Sequence, residues 1–384
     1  MYPCIDELFS LDFAFDAGDR ARQLFLCAMK EAFEHHFEGC DIYRRICINE
    51  GFTPEDLRED EDLCRIPHIM VHVFKWYTLT SLPKEEIAYE FTSSGTSGQK
   101  SHILWDEGSR RRQTIMRETI VESMGMKDED PVNYVLFTYA PDVAGSRGAA
   151  YAHRMYTSFA PAKRTFFAIR GDGYGMPWFD LDGTIEHLVE FERDGIPVRL
   201  IGFPAFMHET LKAMRERGIR LSFPEKSLVI TAGGWKDKEE QKIPVEEFAA
   251  ELFECLGIRR DRLFDIYGFV EHGVPYISCP YGRFHVPIYS RAFVRKPGTL
   301  EILPYGEKGL LHVLSPYNLA QPALSVLSTD YAVMGRDCPC GLKTDYFVLL
   351  GRAGVKKHKG CAISAAELLK SKGHGLEGTC AAPR

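Results

Sequence analysis

Apolar residues recur at helical spacing through the first eighty positions, and then the texture changes. In RARQLFLCAMKEAFEHHF, Phe25, Ala28, Met29, Ala32 and Phe33 fall on one helical face. From residue 133 short apolar runs take over. NYVLFTY, RTFFAI, VRLIGF, SLVITAGG and RLFDIYGF read as buried strands. Helical stretches separate several of them. The clearest is IPVEEFAAELFECLG, where Val245, Phe248, Ala249, Leu252, Phe253 and Leu256 repeat at the helical period. Pro244 suits its first turn and Gly257 its stop. Strands alternating with helices predict a largely parallel sheet covered by helices. Further on, GTLEILPYGEKGLLHVLS reads as strand, turn, strand, an antiparallel hairpin. The fold class expected is therefore α/β, a layered core with an additional β-rich subdomain. The tail SKGHGLEGTCAAPR is glycine-rich and weakly patterned, and it is expected to fray.

Composition narrows the function. The 384 residues are 45% hydrophobic, enough for a sizeable core in one large domain or two unequal ones. The formal net charge of −7 gives no basic excess for nucleic acid or an anionic membrane. No apolar run has the length of a bilayer span. MYPCIDELFSLDF carries acids where a signal peptide would carry basic residues, so a soluble cytoplasmic protein is expected. Eleven cysteines spread over a long chain are expected to be mostly reduced, buried thiols.

Chemistry concentrates first in YEFTSSGTSGQKSHILW. Gly95 and Gly98 stand among Ser94, Thr96 and Ser97, and Lys100 follows. Glycines let backbone N–H groups turn toward a phosphate, and the hydroxyls add donors. The loop leaves one apolar strand and returns into another, which a plain linker would not need. The nucleotide P-loop of kinases and motor-type ATPases wants Gly-Lys-Ser/Thr contiguous, and here Gln99 intervenes. RGDGYGMPW lacks the spacing of a dinucleotide fingerprint.

SSGTSGQK resembles the phosphate-binding loop of the acyl-adenylating superfamily, and four further fragments follow in that superfamily's order. VITAGGWK resembles the loop along adenine, with Gly233 and Gly234. FDIYGFVEHG resembles the Tyr-Gly-x-Thr-Glu segment, with Val270 for the usual threonine. VLSTDYAVM resembles the short segment ending in aspartate, with Thr329 for glycine, and LLGRAGVKKHKG resembles the Gly-Arg hinge. Together they span roughly residues 85–370. The resemblance implies an acyl-adenylating-enzyme fold that uses ATP and Mg2+. Ser94, Gly95, Thr96, Ser97, Gly98 and Lys100 would cradle phosphate. Tyr267 and Gly268 would flank adenine, Glu271 would carry magnesium, and Asp330 and Arg352 would hold the ribose or phosphate. A carboxylate attacking an α-phosphate needs charge stabilisation and positioning, and these residue types supply both.

Two features remain. Cys279, His285, Cys338 and Cys340 form the ligand set of a structural zinc, or are four unrelated buried side chains. Similar pairs with a Cys-Pro-Cys-Gly knuckle occur in the phenylacetate-CoA ligase-like branch, which favours Zn2+. The second is the early end. After Arg352 only 32 residues remain, with no motif resembling the superfamily's C-terminal lysine, and Gly354 stands where a hinge acid is expected. In length, in IPHIMVHVFKW and in this ending the chain is similar to the acyl-protein synthetases of bacterial bioluminescence. They adenylate a fatty acid, load it on their own cysteine and pass it to a partner reductase. Cys361 falls at that position, beside Lys356, Lys357, His358 and Lys359, whose charge favours the thiolate. Cys380 is a weaker rival.

The resulting expectation is a ligase. Residues 1–350 form the adenylating domain, with a helical part at 1–80 and the α/β core and β subdomain at 81–350. Residues 351–384 hold the hinge and a remnant of a C-terminal domain. Its partners are a small carboxylic acid and an acyl-accepting reductase or carrier protein, with no nucleic acid and no membrane insertion. Two alternatives stay open: a ligase using coenzyme A, and a scaffold that only binds nucleotide. YAPDVAGSRGAAYAHRM and RLIGFPAFMHE are candidates for the acyl pocket; Phe203 and Phe206 either close it or belong to the core.

Overall fold

The computed structural model describes residues 2–92, 101–144, 157–172, 176–235 and 242–352. The chain divides into two compact units, residues 1–128 with 264–356, and residues 129–263.

The first unit opens with helices α1 (Pro3–Leu8), α2 (Asp19–Gly39) and α3 (Asp41–Glu50). The apolar stripe read from the sequence is the buried face of α2: Phe25, Ala28, Met29, Ala32 and Phe33 are at most 0% exposed, and His36 extends the same face. Cys4 and Cys27 form a disulfide joining α1 to α2. The two helices pack side by side and bring the cysteines' Cα atoms to 5.7 Å, within disulfide reach. The seven other described cysteines are free. A short strand β1 (Ile69–Met70) and helix α4 (Val73–Trp76) follow. Next come an antiparallel pair, β2 (Tyr89–Thr92) and β3 (His102–Trp105), and helix α5 (Glu107–Ser123).

The second unit carries β4 (Val132–Tyr139), α6 (Pro141–Ala144), β5 (Ala162–Gly171), β6 (Pro177–Phe179), α7 (Leu181–Arg193), β7 (Val198–Gly202), α8 (Pro204–Glu216), β8 (Leu228–Ala232) and α9 (Val245–Leu256). Its strands run β8-β7-β4-β5-β6, parallel except for the β5–β6 pair. Every residue of β4 is buried, as expected of a central strand with both faces covered. Phe203 and Phe206 lie in the core of this unit, each 1% exposed. The face of α9 is narrower than its sequence suggested. Phe248, Ala249, Leu252, Cys255 and Leu256 are buried, whereas Val245 and Phe253 are 44% and 60% exposed. At about 100° per residue, Phe253 lies about 140° round the helix from Phe248, past the edge of the stripe. Gly257 stops the helix in the left-handed conformation, φ 69°.

The chain then returns to the first unit with β9 (Leu263–Tyr267), β10 (Tyr276–Ile277), β11 (Phe284–His285), β12 (Arg291–Arg295), β13 (Lys308–Leu314), β14 (Ser325–Gly335) and β15 (Tyr346–Arg352). The last five make an antiparallel sheet in the order β11-β15-β14-β13-β12. The long strand β14 takes β1 alongside Val326–Leu327 and β15 alongside residues 330–335. This is the expected β-rich part, but its hairpin differs from the expectation. The partner of β13 is β12, not residues 299–303. Gly298 (φ 94°) and Leu300 (φ 60°) turn the chain early, and Arg295–Ile302 is left as a single bridge. The N-terminal helices dock on this sheet through Arg291 over the Phe25 ring at 4.2 Å. His36 adds bonds to Ser81 Oγ (2.7 Å) and Asn318 O (2.9 Å). Among the described residues, no helix is long and apolar enough to cross a membrane.

Candidate active site

Three of the residues singled out in the sequence converge in the first unit. The β14–β15 register sets Asp330 directly opposite Arg352, and Arg352 Nε lies 3.7 Å from Asp330 Oδ1. At the end of β9, Tyr267 donates its hydroxyl to Asp330 Oδ2 at 2.7 Å. Burial, and then the Asp330 carboxylate, hold the Tyr267 phenol well above its ordinary value, so it stays a donor. The Asp330 backbone N–H donates to Ser328 Oγ (3.1 Å), which fixes the strand beneath the carboxylate. The group presents an aromatic ring, a carboxylate and an exposed guanidinium. These are the parts needed to hold a base, a pair of vicinal hydroxyls and a phosphate.

Four residues on from Tyr267 the chain turns, and Glu271 lies there, 5% exposed. Gly273 is required in this turn. Its φ is 72°, and an added Cβ would stand 2.1 Å from the Tyr317 hydroxyl. Glu271 Oε1 accepts a hydrogen bond from Ser101 Oγ at 2.5 Å. Burial raises the carboxyl group's pKa, and the Ser101 bond and the charges of Lys75 and Arg352 pull it back down. A buried carboxylate is a hard-oxygen donor of the kind a divalent ion takes. Neither Ser101 nor Lys75 is among the residues expected at the site from the sequence. Ser101 was in view, immediately after Lys100 at the exit of the glycine-rich loop. Lys75 stands in the VFKW part of a segment noted only for its resemblance.

The β2–β3 pair brackets residues 93–100, its register closing Thr92 on His102. Two antiparallel strands on either side of this segment are what the sequence predicted. Ser94, Gly95, Thr96, Ser97, Gly98 and Lys100 themselves lie outside the described residues, as does Cys361. Gly233 and Gly234 follow β8 in the second unit, exposed and both left-handed at φ 79° and 66°. An L side chain is strained there, which accounts for the glycine pair. Gly268 is likewise exposed, beside Tyr267. In the second unit a cleft is lined by Ala140, Asp142, Phe166, Arg170 and His187; of these, Ala140 and Asp142 belong to a stretch expected to line the acyl pocket.

Cys279, His285, Cys338 and Cys340 also come together. Their ligand atoms all lie within 4.8 Å of one another. Cys279 Sγ is 3.7 Å from Cys338 Sγ, and Cys340 Sγ is 3.2 Å from His285 Nε2. With Zn–S near 2.3 Å, a tetrahedral site puts neighbouring sulfurs about 3.8 Å apart. His285 Nδ1 lies 3.2 Å from Thr344 O, which fixes the tautomer that leaves Nε2 as a lone-pair donor. Cys279 lies in the β10–β11 turn, His285 in β11, and Cys338 and Cys340 in the turn between β14 and β15.

The sequence from 5 to 370 matches the family described as acyl-protein synthetase, LuxE. A long-chain-fatty-acid–luciferin-component ligase of Aliivibrio fischeri is 27% identical over 352 residues, covering 89% of this chain and 88% of that protein. The ligase of the same description from Vibrio harveyi is 26% identical over 366 residues, covering 92% and 90%. A phenylacetate-coenzyme A ligase of Thermus thermophilus is 24% identical, covering 82% of this chain and 66% of that one. Among solved structures, a 2-hydroxyisobutyryl-CoA ligase in complex with its acyl-AMP and CoA shares the fold. Its TM-score is 0.66 at 17% identity, over 89% of this chain and 71% of that one. The acyl-adenylating fold expected from the sequence is thus present, and the chain belongs to the acyl-protein synthetase (LuxE) family.

Proposed function

We propose that this protein activates a long-chain carboxylic acid with ATP and hands the acyl group to a thiol. The carboxylate oxygen attacks the α-phosphorus of ATP, pyrophosphate leaves, and an acyl-adenylate forms. A thiolate sulfur then attacks the acyl carbonyl carbon, AMP leaves, and a thioester remains. The observation that carries the reading is the convergence of Tyr267, Asp330 and Arg352, with Glu271 in the same unit, inside a chain of this family.

In this reading Asp330 accepts from the ribose hydroxyls and Arg352 faces the ribose or phosphate. Tyr267 and Gly268 border adenine. The glycine-rich loop, residues 94–98, and Lys100 receive the phosphates. Glu271 fits a magnesium ligand, being a buried carboxylate with one oxygen held by Ser101. The ion when bound neutralises charge on the departing pyrophosphate. Cys361 is the proposed acyl acceptor, and a reductase or carrier protein the next one. The Cys279, His285, Cys338 and Cys340 cluster fits a structural Zn2+ that ties two loops of the β sheet together and takes no part in the reaction.

Pyrophosphate exchange into ATP tests the first half-reaction. Exchange that requires both magnesium and a fatty acid, and that Lys100→Ala lowers at least tenfold, is the expected result. A wild-type protein with no exchange would leave only nucleotide binding.

A further inference from the structure

Ser101 and Glu271 are 170 positions apart in sequence and meet in the interior of the first unit, 0% and 5% exposed. Both ends of the contact are held. The strand that Ser101 leads into is fixed by two side-chain amides from a loop before β14. Gln321 Nε2 donates to His102 O at 3.0 Å, and Asn318 Nδ2 donates to Leu104 O at 3.2 Å. The Glu271 turn is pinned by backbone bonds from His272 and Gly273 to Phe269 O, at 3.1 and 2.9 Å, and by the 2.8 Å contact of His272 Nε2 with the Tyr276 hydroxyl. A carboxylate on such a turn still rotates about its last bond, and the Ser101 hydroxyl on Oε1 stops that rotation.

We propose that Ser101 is a positioning residue: it occupies Oε1 of Glu271, leaves the remaining lone pairs for the metal–nucleotide complex, and ties the start of the β3 segment to that carboxylate. The inference rests on the proposed role of Glu271 and adds a second group to it. A hydroxyl that holds a ligand without touching the metal is worth about 10- to 100-fold in metal affinity.

The test uses the full chain and Mn2+ as the probe, with free Mn2+ read by electron paramagnetic resonance in the presence of a non-hydrolysable ATP analogue. Nucleotide affinity is measured separately in EDTA. Ser101→Ala and Ser101→Cys are both made, the second exchanging the hydroxyl for a larger group that is a weak donor. The expected result is Mn2+ binding weakened about tenfold in both, with metal-free nucleotide affinity unchanged and Glu271→Gln weaker still. Wild-type Mn2+ affinity in the Ser101 variants, alongside a weakened Glu271→Gln, overturns the role of Ser101 and leaves the carboxylate's role standing. Wild-type Mn2+ affinity in Glu271→Gln overturns both.

Discussion

Replacing Asp330 by alanine separates nucleotide positioning from every other role of the site. Its carboxylate is half-buried; Oδ2 already receives the Tyr267 hydroxyl at 2.7 Å, and Arg352 Nε at 3.7 Å from Oδ1 is too far for a hydrogen bond. Oδ1 therefore has full capacity for one ribose hydroxyl. A hydrogen bond to a charged acceptor contributes about 1.5–3 kcal/mol, which is about 10- to 150-fold in affinity. The wild-type protein should prefer ATP by that factor over the deoxy analogue lacking the partner hydroxyl, and Asp330→Ala should abolish the preference. Arg352 is 76% exposed, so its ion pair with Asp330 contributes only about 0–1 kcal/mol. Arg352→Ala should accordingly leave most of the discrimination in place. The assay is pyrophosphate exchange at varied ATP, 2′-deoxy-ATP and 3′-deoxy-ATP. An Asp330→Ala protein that still discriminates as the wild type does would refute the ribose assignment.

Two further outcomes are expected. Cys338→Ser should lose stoichiometric zinc by elemental analysis. It should also melt roughly 5–10 °C lower, the equivalent of about 2–3 kcal/mol in a unit of this size; an unchanged melting temperature in a zinc-free wild type would end the metal assignment. Buried His36 is held neutral, pushed down to about 3 by burial and then by His35. Because the unfolded chain binds that proton near pH 6.5, stability is full above that pH and falls as pH drops toward 3. The loss is about 2 kcal/mol by pH 5. Urea unfolding at pH 7 and pH 5 should show His36→Gln losing about that much less than the wild type, and equal losses would show that His36 is not the group responsible.

The elements most legible in the sequence were those whose pattern is local. The stripe on α2, the strand β4 and the stop at Gly257 follow from side-chain period and one residue's backbone freedom. Site residues were legible as fragments in a known order, and the structure adds why they meet: a strand register pairs Asp330 with Arg352. What was not legible depended on long-range packing. Leu300 in a left-handed conformation carries no sequence signal, so the arm at 299–303 passed for a strand. The Cys4–Cys27 link depends on how two helices pack, which no cysteine count shows. Ser101 was passed over because a serine beside a hydroxyl-rich loop looks like more of the loop. Its partner, Glu271, is distant in sequence.

The measurement that most directly tests acyl transfer to this chain is intact-protein mass after incubation with ATP, magnesium and a panel of carboxylic acids, without coenzyme A. The expected result is a gain equal to one acyl group, removed by hydroxylamine and abolished by Cys361→Ser. No gain while AMP and pyrophosphate are still formed would contradict self-acylation and make coenzyme A the acceptor.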